Sequence, residues 1–158
     1  MTNPVTITAP EGLPFIEIVR EFDAPVAAVY DAYSDPALVK QWLGPNGYEV
    51  ELEEYDVRDG GRYRYVHVDP EGNRYPFNGV FHRARPEELI IQTFEWEGMP
   101  DFVSLETARF EDLGDGRSRV TGWSTFTRLD FIRVPLPAAR IIAAMSDMTG
   151  LPYHSRSL

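Results

Sequence analysis

Apolar positions follow a period of two along most of the chain and a period near 3.6 in a few short stretches. Residues 15–23 read as a strand, with Ile16, Ile18 and Phe22 on one face and Phe15 and Val19 on the other. Asp23, as a cap, and Pro25 then open a helix along which Val26, Val29, Tyr30 and Tyr33 recur at helical spacing. Ser34-Asp35-Pro36 breaks that helix and caps a second short one, whose apolar stripe is Leu38, Trp42 and Leu43. Gly44-Pro45-Asn46-Gly47 ends it in a turn.

From Tyr48 the pattern switches to period two. Glu49, Glu51 and Glu53 alternate with Val50 and Leu52, a strand with one wet face. Asp59-Gly60-Gly61 turns the chain into a strand over 62–69, with Tyr63, Tyr65 and His67 on one side. Pro70-Glu71-Gly72-Asn73 reads as a hairpin turn setting Asp69 opposite Arg74; the returning strand, 74–84, carries Tyr75, Phe77, Gly79 and Phe81 on one face. A strand over 88–96 follows, and strands 102–113 and 117–127 flank the hairpin signal Gly114-Asp115-Gly116. Beyond Pro137, the residues Ala138, Ile141, Ile142, Met145 and Met148 form a final helical stripe, stopped by Gly150 and Pro152. The expectation is an α+β domain: a seven-stranded antiparallel sheet, two short helices between strands one and two, and a C-terminal helix whose stripe is buried against the concave face. Residues 1–14 read as a flexible arm, 15–150 as the domain and 151–158 as an irregular tail.

Composition narrows the function classes. At 158 residues the chain has the length of one domain with its own core, and 43% hydrophobic with 25% charged residues is a globular balance. A net charge of −10 argues against nucleic-acid binding and against anionic membrane surfaces. Cysteine is absent, which excludes disulfides and thiolate chemistry; no apolar run reaches the roughly 20 residues a spanning helix needs. With no signal-like start, a cytoplasmic location is expected.

No motif dictates a reaction. His67, His82 and His154 lack ligand spacing, so no metal is expected, and no serine has a nucleophile-elbow context. Gly60-Gly61 and Gly114-Asp115-Gly116 are turns rather than phosphate loops, so no cofactor is expected. Glu54, Asp56, Tyr65 and His67 could meet across adjacent strands as an acid–base group, against the plainer reading of a solvated carboxylate face. Glu111 and Arg119 face each other across the last hairpin as a surface ion pair. The aromatic set is more telling than its members, each of which is individually a core residue. Tyr and Trp combine an apolar body with a polar tip and suit a pocket with few hydrogen-bonding points. The candidate ligand-binding residues are Trp42, Tyr63, Tyr65, Phe77, Phe81, Phe94, Trp123 and Met145.

Several strings together resemble a known superfamily. Arg20-Glu21-Phe22-Asp23-Ala24-Pro25, Val29-Tyr30-Asp31-Ala32-Tyr33, Asp35-Pro36 and Gln41-Trp42-Leu43-Gly44-Pro45 are similar to the opening of the START-like (SRPBCC, Bet v-type) proteins. With Asp59-Gly60-Gly61-Arg62-Tyr63, Gly79-Val80-Phe81, Pro86-Glu87-Glu88-Leu89 and residues 106–117, the chain resembles the branch homologous to the activator of the heat-shock-90 chaperone ATPase. The resemblance covers about residues 15–126 and implies a helix-grip fold with an apolar cavity between sheet and C-terminal helix. It implies little chemistry, since such folds serve as carriers, cyclases, chaperone regulators and stress proteins. The chain departs from the family after its last strand: the closing helix is proline-led and short, about 18–20 Å. The expectation tied to this is an open stretch of concave face covered by a second copy in a homodimer. Three functions follow: binding of a hydrophobic small molecule, a cyclase- or aromatase-like enzyme using cavity Tyr, His or carboxylate groups, and a chaperone-associated protein, the last by analogy alone.

Overall fold

The computed structural model describes residues 3–125. Among them are eight strands and two helices: β1 Thr6–Thr8, β2 Phe15–Phe22, α1 Val26–Ser34, α2 Pro36–Val39, β3 Glu49–Tyr55, β4 Arg62–Val68, β5 Arg74–Arg85, β6 Leu89–Trp96, β7 Val103–Gly114 and β8 Arg117–Thr125. All strands pair antiparallel in one sheet of order β1-β2-β8-β7-β6-β5-β4-β3. The expected helix beyond Pro137, including Met145, and the tail lie outside the described residues.

The sheet has eight strands, not seven. The extra one, β1, lies in the stretch read as an arm and pairs Thr6, Ile7 and Thr8 with Val19, Ile18 and Glu17. All three of its residues are exposed, so no buried face imprints alternation on the sequence; backbone pairing to the edge of β2 holds it.

The helices bridge the sheet. The chain leaves β2 near one edge and re-enters at β3, the opposite edge, and α1 and α2 make that crossing. Helix α1 buries Val29, Tyr30, Ala32 and Tyr33, and the Tyr30 and Tyr33 rings meet Phe110 edge-on at 5.2 and 5.1 Å. Its cap position is Pro25, without a side-chain hydrogen bond, so Asp23 does not serve as the cap. Asp35 does cap α2: its carboxylate accepts from the Ala37 N–H at 2.8 Å. Helix α2 is a single turn, shorter than its apolar stripe suggested, and Trp42 follows it with its indole N–H donating to the Ala32 carbonyl at 2.7 Å.

Two local devices aim side chains at the concave face. In β3 a bulge between Leu52 and Glu54 absorbs one residue, so Glu53 and Glu54 both face out and Tyr55 returns to the side of Val50 and Leu52. At the β4–β5 turn the Asp69 carboxylate accepts from the Glu71 and Asn73 N–H groups at 3.0 and 2.8 Å, and the Asp69 N–H donates to the Asn73 carbonyl at 3.0 Å, so Asp69 faces Asn73. The pairing is therefore Val68 with Arg74, not Asp69 with Arg74. That register sets Tyr65 against Phe77 and Tyr63 against Gly79, placing both aromatic rows on one face.

Gly79 is obligatory there. A Cβ would lie 2.0 Å from the Thr93 carbonyl oxygen and 2.6 Å from the Tyr63 ring. Tyr63 crosses that bare position to donate its hydroxyl to the same carbonyl at 2.7 Å. The outer face is a solvated ladder of ion pairs, Arg64 with Glu53 and Glu97, Arg74 with Glu51, and Arg119 with Glu21 at 2.7 Å. Glu111 stands opposite Arg119 as expected but is the longer contact, at 4.0 Å. Such exposed pairs contribute about 0–1 kcal/mol each.

Candidate functional site

The concave face holds a cavity of about 120 Å³. Its aromatic wall includes Tyr33, Trp42, Tyr55, Tyr63, Tyr65 and Phe94, and Ile18, Leu43, Ile90, Ala108 and Val120 are among its aliphatic lining. The size is close to an apolar cavity of about 150 Å³ that admits benzene, which sets the scale at one small ring.

The eight candidate residues separate into groups. Trp42, Tyr63, Tyr65 and Phe94 line the cavity. Phe77 and Phe81 share that face but are sealed behind other rings: Phe77 stacks on Tyr65 and Phe94 at 5.3 Å each, and Phe81 packs on Tyr55 and Tyr63 at 5.5 and 5.2 Å. They support the wall without reaching its surface. Trp123 borders the cavity, but its register partner is Glu17, to whose carboxylate its indole donates at 2.8 Å. Strand alternation turns its ring away from the face of Gly122 and Ser124. Met145 lies outside the described residues.

The acid–base group is not assembled. Glu54 is exposed, and the Asp56 carboxylate is held by Arg58 at 2.6 Å. His67 is buried between Tyr65 and Phe77 with Gly44 against its Nε2 edge, and it does not line the cavity. Its Nε2 has no hydrogen-bond partner among the described residues, and burial pushes its pKa down to about 4, so the ring is neutral.

The polar groups of the cavity come from other strands. Arg20 on β2, Gln92 on β6 and Glu106 on β7 all line it. Glu106 accepts one hydrogen bond, from the Gln92 amide to Oε2 at 3.1 Å; its Oε1 has no partner among the described residues. The exposure that remains to Glu106 opens on the cavity, and burial raises its pKa to about 7, with Gln92 opposing. Tyr55, Tyr63 and Tyr65 are pushed up, first by burial and further by the Glu106 charge. The Tyr65 hydroxyl has no hydrogen-bond partner among the described residues, and Tyr63 and Tyr55 donate to the Thr93 and Tyr33 carbonyls. Arg20 is buried with its guanidinium 5.0 Å from the Phe22 ring centre.

Sequence reading passed over these three residues, although each leaves a trace. Arg20 fills the gap in the apolar row Ile18, Phe22; Gln92 lies between Ile90 and Phe94; Glu106 precedes Ala108 and Phe110 at the same period. A polar residue in phase with a buried strand face is the signal. Among the described residues no cluster of His, Cys, Asp and Glu could hold a metal, and no helix is long and apolar enough to cross a membrane.

A curved antiparallel sheet around an aromatic cavity, with a helix pair inserted after the strand that meets the last, defines an α+β protein of helix-grip-like architecture. Residues 23–131 match the model of the family described as Activator of Hsp90 ATPase homolog 1-like protein, and the chain belongs to that family, within the SRPBCC superfamily. Solved structures share the fold at low identity. Protein Ms6760 from Mycobacterium smegmatis is 22% identical with a TM-score of 0.76, covering 96% of this chain and 100% of its own. Protein CV1439 from Chromobacterium violaceum is 24% identical with a TM-score of 0.73 over 84% and 91% of the two chains. The AHSA1 protein from Silicibacter pomeroyi is 23% identical with a TM-score of 0.69 over 84% and 94%. No curated protein matches the chain.

Proposed function

We propose that the protein binds a small aromatic or alicyclic molecule in the concave-face cavity. The observation that carries this reading is a cavity of about 120 Å³ with an aromatic wall and a few polar groups placed in it. Burial of apolar surface supplies the affinity, and the polar groups orient the ligand. Thermal-shift measurements and native mass spectrometry with benzene-sized ligands test it. Binding stabilises the native state by mass action, so saturating toluene is expected to raise the melting temperature and to give a one-to-one complex. No shift and no adduct with any ring of that size refutes the reading.

A second reading is catalysis by proton transfer. Glu106, with a pKa of about 7 beside cavity tyrosines, is the one group that favours it. It replaces the His67 and Glu54 arrangement as the site to test, and a Glu106→Gln protein that keeps any turnover detected in the wild type refutes it.

A further inference from the structure

The cavity has an apolar wall and a localised polar end, and the two demand different things of a ligand. At the polar end Gln92 occupies only Oε2 of Glu106, a residue that lines the cavity, and no described residue bonds to Oε1. The Tyr65 hydroxyl lines the same cavity, within the electrostatic reach of that carboxylate, and no described residue bonds to it. The other tyrosine hydroxyls near Glu106 are committed, Tyr63 to the Thr93 carbonyl and Tyr55 to the Tyr33 carbonyl. One open acceptor and one open hydroxyl therefore belong to residues lining a single cavity sized for one ring. A ligand group of matching chemistry can bond to both.

We infer that the ligand carries a hydroxyl group, a small phenol or alicyclic alcohol, whose O–H donates to Glu106 Oε1 and whose oxygen accepts from Tyr65. A hydroxyl meets both demands with a single atom, donating to the carboxylate and accepting from the phenol, whereas a carbonyl offers Glu106 no donor. The inference rests on the cavity being a ligand site and adds to it the identity of the polar anchor.

The wall bears on how the preference varies with pH. Tyr55, Tyr63 and Tyr65 face Glu106 and stay neutral through the physiological range, Gln92 does not titrate, and Arg20, which also lines the cavity, stays cationic. Glu106 is the only one of these groups whose charge changes near neutrality. Its ionised form is the stronger acceptor, so a hydroxylated ligand binds better on the alkaline side.

Calorimetric titration with phenol and with toluene, two rings of nearly equal size, separates the anchor from the cavity. At about pH 8 the wild type is expected to bind phenol roughly tenfold more tightly than toluene. Glu106→Leu is expected to remove that preference by weakening phenol about tenfold while toluene stays within about twofold, and Tyr65→Phe to weaken phenol alone by a few-fold. Glu106→Gln keeps a polar partner for Gln92 and serves if the leucine variant does not fold; it is expected to abolish the pH dependence of phenol binding. Equal affinity for phenol and toluene in the wild type, or an undiminished preference in the Glu106 variants, overturns the inference and leaves the cavity reading standing. Binding of neither ring overturns both.

Discussion

Gly122 offers the sharpest test of the cavity, because filling it should move stability and affinity in opposite directions. The residue lines the cavity from β8, and a Cβ built there comes no nearer than 3.7 Å to the Thr107 carbonyl oxygen, 3.8 Å to the Ile18 carbonyl oxygen and 3.9 Å to the Ile18 Cβ. Those are ordinary contacts, and the backbone there is not in the left-handed region, so an L side chain fits without strain. In Gly122→Val the side chain enters empty space of about 120 Å³. Three buried carbons contribute roughly 2 kcal/mol, at about 0.8 kcal/mol each. Relief of glycine's backbone entropy adds roughly 0.5–1 kcal/mol, and lost side-chain freedom takes back a similar amount. The net expectation is a gain of about 1–2 kcal/mol, or a melting temperature higher by roughly 2–8 °C for a chain of this size. Urea unfolding followed by tryptophan fluorescence measures the gain, and toluene titration of the same protein is expected to show affinity lower by about tenfold or more, a loss of about 1.4 kcal/mol or more. Destabilisation by more than about 1 kcal/mol would mean the space is already occupied. Unchanged toluene affinity would mean that the ring binds elsewhere.

Two buried titratable groups give pH effects of opposite sign. Glu106 has a folded pKa of about 7 against an ordinary 4.5, so its contribution is full below about 4.5, declines as pH rises towards 7 and is then lost; the span corresponds to at most about 3 kcal/mol, and in urea midpoints taken at intervals from pH 4 to 8 Glu106→Gln is expected to leave a stability that rises with pH up to about 6.5. His67 has a folded pKa of about 4 against 6.5, so its contribution is full above about 6.5 and is lost as pH falls to 4, again up to about 3 kcal/mol, and His67→Phe is expected to leave a stability that falls as pH rises towards 7, whatever it does to absolute stability. Because the two windows overlap, the wild type should look nearly flat between them, and each single variant should expose the other's slope; two flat variants would contradict the burial of both groups. Gly79→Ala forces a carbon to 2.0 Å from the Thr93 carbonyl oxygen and is expected to cost more than about 3 kcal/mol or to prevent folding, as read by circular dichroism.

Much of the architecture is written locally. The Asp35 cap, the glycine-rich hairpin at Asp115 and the alternation of β4 and β5 are short-range effects, and the chain's own order of periods predicts them. β1 was not legible, because an exposed three-residue strand is held by backbone pairing and leaves no hydrophobic pattern. The register of β4 on β5 also escaped, since it depends on Asp69 bonding to its own loop.

The site divides in the same way. Alternation and composition alone concentrate aromatic residues with polar tips on paired strands and put Tyr63 and Tyr65 on one face. The folded sheet adds which face is concave, sets Phe77 and Phe81 behind that wall, turns the Trp123 ring outward and walls off His67. It also brought Arg20, Gln92 and Glu106 into one cavity from strands β2, β6 and β7. The physical reason is that period two states which residues of one strand share a face. It does not state which side of a curled sheet that face becomes, or which residues far apart in the chain meet across it. Those follow from strand order, bulges and curvature, which are properties of the assembled sheet.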